Sequence, residues 1–312
     1  MEQRPVIIAT MAQTLATLSA SGPKGVVPLG KFFYVNNASD DDGDTGAHGT
    51  SPETPFSTLD YAIGKCTADQ NDVIVVASAH SETSAAPAFD VAGVTCIGLG
   101  NLWHGPLVTG SNITISADNV RVYNLRIDWN PSSTSNGCVQ VSGADNVVVA
   151  GCCSMPYPAA GVNKCRSMVY ATGDPADLVI INNWCDLTSG SSDNCYAGVW
   201  LTNNTSSVRA LIAGNYFLGD FEESAIWVDG NDLIEGMLVI DNVLYNQNSS
   251  ADGIIDLATT NAGEAIVARN VGYTGAAAIP GTISGIVATS TSENYVTNDF
   301  TLSGVIEPSD LP

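Results

Sequence analysis

The sequence predicts an all-β chain wound into a right-handed parallel β-helix, with a short N-terminal capping helix and an extended N-terminal arm. Three observations predict it. The first is composition: 45% of the 312 residues are hydrophobic, only 13% are charged, and 30 are glycine. Such a chain has ample apolar content for a core. Its wealth of Gly, Asn, Asp, Thr and Val favours short strands and tight turns over helices. The second is a period. Short apolar runs recur, each followed by Gly98, Asn124, Gly151, Asn183, Asn215, Asn242, Asn270 and then Asn294, in steps of 26, 27, 32, 32, 27, 28 and 24 residues. A second ladder lies out of phase at Val141, Tyr170, Leu201, Val228 and Leu257, with steps of 29, 31, 27 and 29. The third is that no repeat contains a helix-length segment. A single repeat cannot bury its own apolar side, so stacked repeats must share one core.

Taken in chain order, residues 1–30 read as an arm. Val6 to Ala9 is apolar, but Gln13, Thr14 and Thr17 dilute the stretch beyond it, and no sharp cleavage site appears as it would after a signal peptide. Residues 31–72 form the cap region. Phe56, Leu59, Ile63 and Cys66 have helical spacing, so this stretch predicts an amphipathic helix that closes the open end of the core. Val73 to Val76 then reads as the first strand. Residues 73–300 supply the coils. At about 4.8 Å per coil, eight coils rise roughly 40 Å. The Asn/Gly ladder has a physical cause, because a sharp bend between strands requires positive φ, which Gly adopts freely and Asn tolerates. Stacked Asn side chains also hydrogen-bond along the axis. Residues 301–312 are a short tail.

The formal charge of −22 excludes several partners. Phosphate neutralisation needs clustered Lys and Arg, and the ten basic residues are scattered, so neither nucleic acid nor an anionic membrane surface is expected. No run of 18 apolar residues is present, so no membrane span is expected.

GTSPETPFSTLDYAIGKC followed by NDVIVVASAHSET resembles the leading segment of right-handed parallel β-helix proteins of the pectin-lyase-like superfamily. The resemblance covers residues 32 to 300. It implies the fold and leaves the activity open, since the superfamily holds polysaccharide lyases, glycosidases, bacteriophage tailspikes and non-enzymatic virion proteins. Lyases of this kind use Lys or Arg bases in a groove. Here Lys31, Lys65, Lys164, Arg121, Arg126, Arg166, Arg209 and Arg269 form no ladder on neighbouring coils, and His48, His80 and His104 fall near the N-terminal end. The histidines read as surface or capping contacts.

Candidate chemistry rests on acids and tryptophans. Glycoside hydrolysis needs two carboxylates roughly 5 to 10 Å apart. Asp220, Glu222 and Glu223 occupy one loop, Asp229 and Asp232 follow the next strand, and Asp256 lies one coil further on. In a chain with 32 acids, solvated loops account for such groups equally well. If Val139, Met168, Val199, Ile226 and Ile255 point inward, then Gln140, Val169, Trp200, Trp227 and Asp256 point outward. Trp200 and Trp227 then stack as an interface or glycan stripe; a register slip of one would make both core. No cofactor is required. Asp40, Asp42 and Asp44, near Glu53, are hard-oxygen candidates for Ca2+ without the spacing of a known calcium loop. The eight cysteines lack zinc spacing. Cys153–Cys165, Cys185–Cys195 and Cys66–Cys96 are conceivable disulfides, but strand positions equally suit buried, reduced thiols.

The resemblance and the missing catalytic constellation point first to a structural bacteriophage virion protein, a trimeric capsid decoration (cement) protein. Its expected partners are itself as a homotrimer and the major capsid protein, reached through residues 1–30 and assembled in the host cytoplasm. The alternatives are a tailspike or secreted polysaccharide depolymerase, and a non-catalytic glycan-binding adhesin.

Overall fold

Three parallel sheets wind around one apolar core in the computed structural model. It describes residues 30–83, 86–101, 104–109, 112–128, 137–154, 166–187, 195–202, 209–229, 236–248, 253–257, 264–274, 283–284 and 288–297. The chain visits the sheets in a fixed rotation. Sheet 1 has ten strands, from Phe32–Val35 to Ala288–Ser292; sheet 2 has nine, from Ser81–Glu82 to Tyr295–Thr297; sheet 3 has eight, from Ala88–Phe89 to Ile283–Ser284. Every interstrand pairing within them is parallel, each strand meeting its counterpart one coil away. This is the parallel β-helix. A crossover that returns to a parallel strand is right-handed as a rule. No helix among the described residues is long and apolar enough to cross a membrane.

The cap differs from the sequence reading in one respect. Val73–Val76 is not the first strand, because Phe32–Val35 pairs with it on the outer edge of sheet 1. The cap helix α1 is a single short turn, Leu59–Ile63, with Thr58 as N-cap accepting from the Tyr61 amide. Leu59 and Ile63 are buried with Phe56 and Phe33 over the end of the core. Asp44 anchors the turn: its carboxylate accepts from the Ser57 and Thr58 amides and the Thr58 hydroxyl. His80 and Glu82 are buried below it. Glu82 accepts from the Leu59 amide and from His80, whose Nδ1 accepts from the Asn37 amide.

The asparagine ladder is present, but its two tasks fall on adjacent positions. Asn124 and Gly151 have positive φ, as the turn argument requires. In later coils the positive φ belongs to the preceding residue: Asn182, Gly214, Asp241, Arg269 and Glu293. Asn183, Asn215, Asn242, Asn270 and Asn294 are buried and serve only to stack. Asn242 is typical. Its Nδ2 donates to the Ile212 carbonyl and to Asn270 Oδ1, and its Oδ1 accepts from the amide and Nδ2 of Asn215. Gly98 belongs to neither task. It ends a sheet 1 strand where a Cβ would lie 2.2 Å from the Asn124 carbonyl oxygen.

The three sheets differ in what they show outward. Sheet 3 alternates in the ordinary way, with Val139, Val169, Val199, Ile226 and Ile255 in register and buried. Sheet 1 reads VIVV, LVII, ALIA and MLVI, apolar on both faces. Cys96, Val122, Val149, Ile180, Ile212, Val239 and Val267 line the core from it. Their neighbours face out in two columns. One runs Phe32, Val73, Thr95, Arg121, Val148, Val179, Leu211, Leu238, Ile266; the other runs Tyr34, Val75, Ile97, Tyr123, Ala150, Ile181, Ala213, Ile240, Ala268.

Candidate functional site: the outer face of sheet 3

The outer face of sheet 3 gathers the tryptophans and two of the candidate acids. Parallel register places Gln140, Tyr170, Trp200, Trp227, Asp256 and Ser284 in one column. This corrects the sequence reading at one coil. Val169, expected outward, is in register with Val139 and fully buried, and Tyr170 takes the outward place. Tyr170 therefore leaves the inward ladder, where Ala171 stands between Val141 and Leu201. The strand Ser167–Thr172 is six residues long and largely apolar, so its alternation offered no phase.

The rings form a stack. Trp200 and Trp227 have centroids 5.2 Å apart at 19°. Tyr196 lies parallel to both, at 5.2 and 6.2 Å, and the edge of Tyr170 meets Trp200 at 4.8 Å. The Arg166 guanidinium sits 5.2 Å over Tyr196. The three parallel rings stand 5.2 to 6.2 Å apart pairwise, an offset cluster rather than a single column of rings. Trp227 ends the stack, because the next residue in register is Asp256, not a ring. Within the stack the Trp200 indole N–H is buried and meets no acceptor among the described residues.

Asp256 and Asp229 share this end of the stack. Asp256 is buried on the outer face beside Trp227. Asp229 directly follows the strand Ile226–Val228, two residues beyond Trp227, and accepts from the Thr202 hydroxyl at 2.9 Å. Residues related in this diagonal way on adjacent strands are about 7–8 Å apart. Asp220, Glu222 and Glu223 precede the same strand, with the Glu222 and Glu223 amides donating to the Cys195 and Tyr196 carbonyls. Asp232 lies outside the described residues.

The remaining candidates are dispersed. Arg209 and Arg269 make bidentate pairs with Asp177 and Asp241 one coil away. Each guanidinium holds its carboxyl below the usual aspartate range. Arg126 pairs with Asp128, which raises the arginine further. Lys65 lies over the Tyr61 ring, and Lys164 is outside the described residues. Asp40, Asp42 and Asp44 do not converge: Asp44 is committed to the cap, and no group of three acidic, His or Cys side chains with metal-site geometry occurs among the described residues. Glu53 is held below its ordinary value by the Ser51 hydroxyl. Seven cysteines are described, with no disulfide between any two of them; only Cys66 is not fully buried. Burial pushes the thiols of Cys66 and Cys153 up to about 12 and that of Cys152 to about 11. Cys165 is outside the described residues.

Sequence reasoning missed Tyr170, Tyr196 and Arg166 as members of this cluster. Tyr170 was hidden by the register slip, and Tyr196 precedes its strand. No protein-family model matches the chain, and no curated protein matches it in sequence. Among solved structures, a rhamnogalacturonan lyase is similar with a TM-score of 0.37 and 13% identity, over 78% of this chain and 69% of that one.

Proposed function

We propose that the chain is a glycan-directed parallel β-helix protein whose working face is the outer surface of sheet 3, with Asp229 and Asp256 as the carboxylate pair of a glycoside hydrolase. The observation that carries this reading is the diagonal placement of the two acids at the end of the aromatic stack. A separation of about 7–8 Å leaves room for a water between one carboxylate and the sugar, the geometry of inverting hydrolysis. One carboxylic acid protonates the glycosidic oxygen while the other carboxylate takes a proton from the attacking water. Asp256 is buried and Asp229 half-buried, an asymmetry that suits unlike acid and base roles.

Reducing-sugar release from a panel of neutral and acidic glycans tests it, with product stereochemistry followed by NMR. The expected result is release with inversion, lost by at least a hundredfold in both Asp229→Asn and Asp256→Asn while the fold is kept. Release that survives both substitutions sinks the assignment. Binding without release moves the chain to the adhesin reading.

A second reading has its own observation. Two outward columns of sheet 1 without a carboxylate from Phe32 to Ala268, in a chain of charge −22, suit a protein that works assembled. That favours a capsid decoration protein of a bacteriophage virion, held to the capsid lattice by residues 1–30. Absence of both binding and release on the glycan panel, with retention of purified capsids by the full chain but not by one lacking residues 1–30, decides for it.

A further inference from the structure

We infer that the outer face of sheet 1 is a contact surface for a second copy of this chain. Strands of an all-parallel sheet that read as continuous apolar runs are, as a rule, covered on both faces. Sheet 1 has such runs, yet only its inner face meets the core. Outward, Leu238 and Ile266 are 36% and 45% exposed, with Leu211, Ile181 and Ile240 beside them partly so. Sheet 3 of the same coils shows Gln140, Thr172, Trp227 and Asp256 in the equivalent outward positions. The aliphatic character therefore belongs to sheet 1 and its border with sheet 2, and not to the outer face of sheet 3.

Charge selects the occupant. The chain carries 32 acids against ten basic residues, and the two outward columns of sheet 1 contain no carboxylate from Phe32 to Ala268. Identical copies of charge −22 repel wherever their acidic surfaces meet, and they approach at least cost through a face without carboxylates, whose one charged member is Arg121. A cationic partner would instead be drawn to the acid-bearing surfaces. The borders of the face agree. Asp177 and Asp241, on its two flanking corners, are each neutralised by an arginine one coil away, which takes two of the six arginines. The surface continues round the corner onto sheet 2 through Tyr216, Val243 and Val271, each more than 40% exposed.

The size is sufficient. Ten strands rise roughly 43 Å at about 4.8 Å spacing. With a width near 15 Å and the sheet 2 column added, the surface approaches the ~800 Å2 per partner of a standard interface. A contact between the sheet 1 face of one copy and the sheet 2 column of the next joins different surfaces, so it builds a ring where the rotation closes rather than a two-fold dimer.

Light scattering on the full chain at about 50 µM tests the inference. The expected mass is a small multiple of the chain mass. Leu238→Glu with Ile266→Glu should give single chains with an unchanged far-UV spectrum. Gln70→Glu with Ser116→Glu, which adds the same charge at exposed positions away from sheets 1 and 2, should keep the assembly. If the first pair unfolds the protein, Leu238→Thr with Ile266→Thr, which keeps strand propensity, should raise the dissociation constant at least tenfold. A monomeric wild type overturns the inference, as does an assembly indifferent to both sheet 1 pairs. So does a monomer that self-associates only after residues 1–29 are removed, since the arm would then be the occupant.

Discussion

At the residue scale, the molecule depends on a few side chains that have no freedom. Asn242 is fully buried and joins two coils through four hydrogen bonds. Removing its amide strands the Asn215 N–H and the Ile212 carbonyl in the core, and each buried orphan costs about 1–3 kcal/mol. Asn242→Ala should therefore destabilise by roughly 3 kcal/mol in urea unfolding. Asn242→Asp should be worse, because an acceptor would face the Ile212 carbonyl. Asn182→Gly, one coil position away from this role, should stay within about 0.5 kcal/mol of wild type, since Gly accepts its φ of 54° freely. Neighbouring asparagines of one pattern thus differ sharply in consequence. From the sequence they could not be separated, because Asn124 and Asn183 read alike. Whether an Asn supplies the positive φ or the buried amide depends on one residue of turn phase, and apolar periodicity does not resolve that.

At the element scale, the corner rows hold sheet 1 in place. Arg269 adopts φ of 55°, a conformation few arginines take, and its guanidinium grips Asp241 on the preceding coil. The pair lowers the Asp241 pKa from its ordinary 3.8. A folded value below the unfolded one means that the stabilisation is complete above the ordinary aspartate range. It is lost as pH falls through the folded value. Asp241→Asn should accordingly lower Tm slightly at neutral pH, and the difference from wild type should vanish at strongly acid pH. A difference that persists there would assign the effect to packing. The elements themselves were legible to different degrees. The sheet 3 strands alternate, so their inward and outward residues could be read directly, Trp200 and Trp227 included. Ser167–Thr172 does not alternate, and there the reading slipped. The strand Phe32–Val35 was missed because nothing local distinguishes an edge strand from the cap that surrounds it.

At the scale of the whole molecule, the three sheets divide the labour. All share one core, sheet 3 carries rings and carboxylates, and the outer columns of sheet 1 are largely apolar and free of carboxylates. A stacked-coil architecture permits this, because each coil contacts only its neighbours and a stripe of any chemistry can run along the axis. Repulsion between copies of charge −22 opposes assembly through sheet 1. Salt screens it over a Debye length that shortens from roughly 30 Å at 0.01 M to about 8 Å at 0.15 M. Sedimentation across that range should show the dissociation constant falling as salt rises. An assembly that weakens with salt would mean that ion pairs across the interface dominate.

By itself, the sequence determined the class of the fold. A recurring apolar segment of nearly constant period, too short to close a core alone, has to stack, and its composition leaves strands as the material. It also offered Trp200, Trp227 and Asp256 as one outward stripe, because the side-chain period of a strand is two, while the alternative of both tryptophans in the core was settled by the register. Only the tertiary structure decided where the acids lie. Parallel register sets Trp227 beside Asp256 and so puts Asp229 one diagonal step from it, while Glu222 and Glu223 lie before the strand, beside Cys195 and Tyr196. It also decided that sheet 1 keeps an uncovered apolar face. In one dimension the LVII and ALIA runs are indistinguishable from strands buried on both sides, and coverage is a property of neighbours in space.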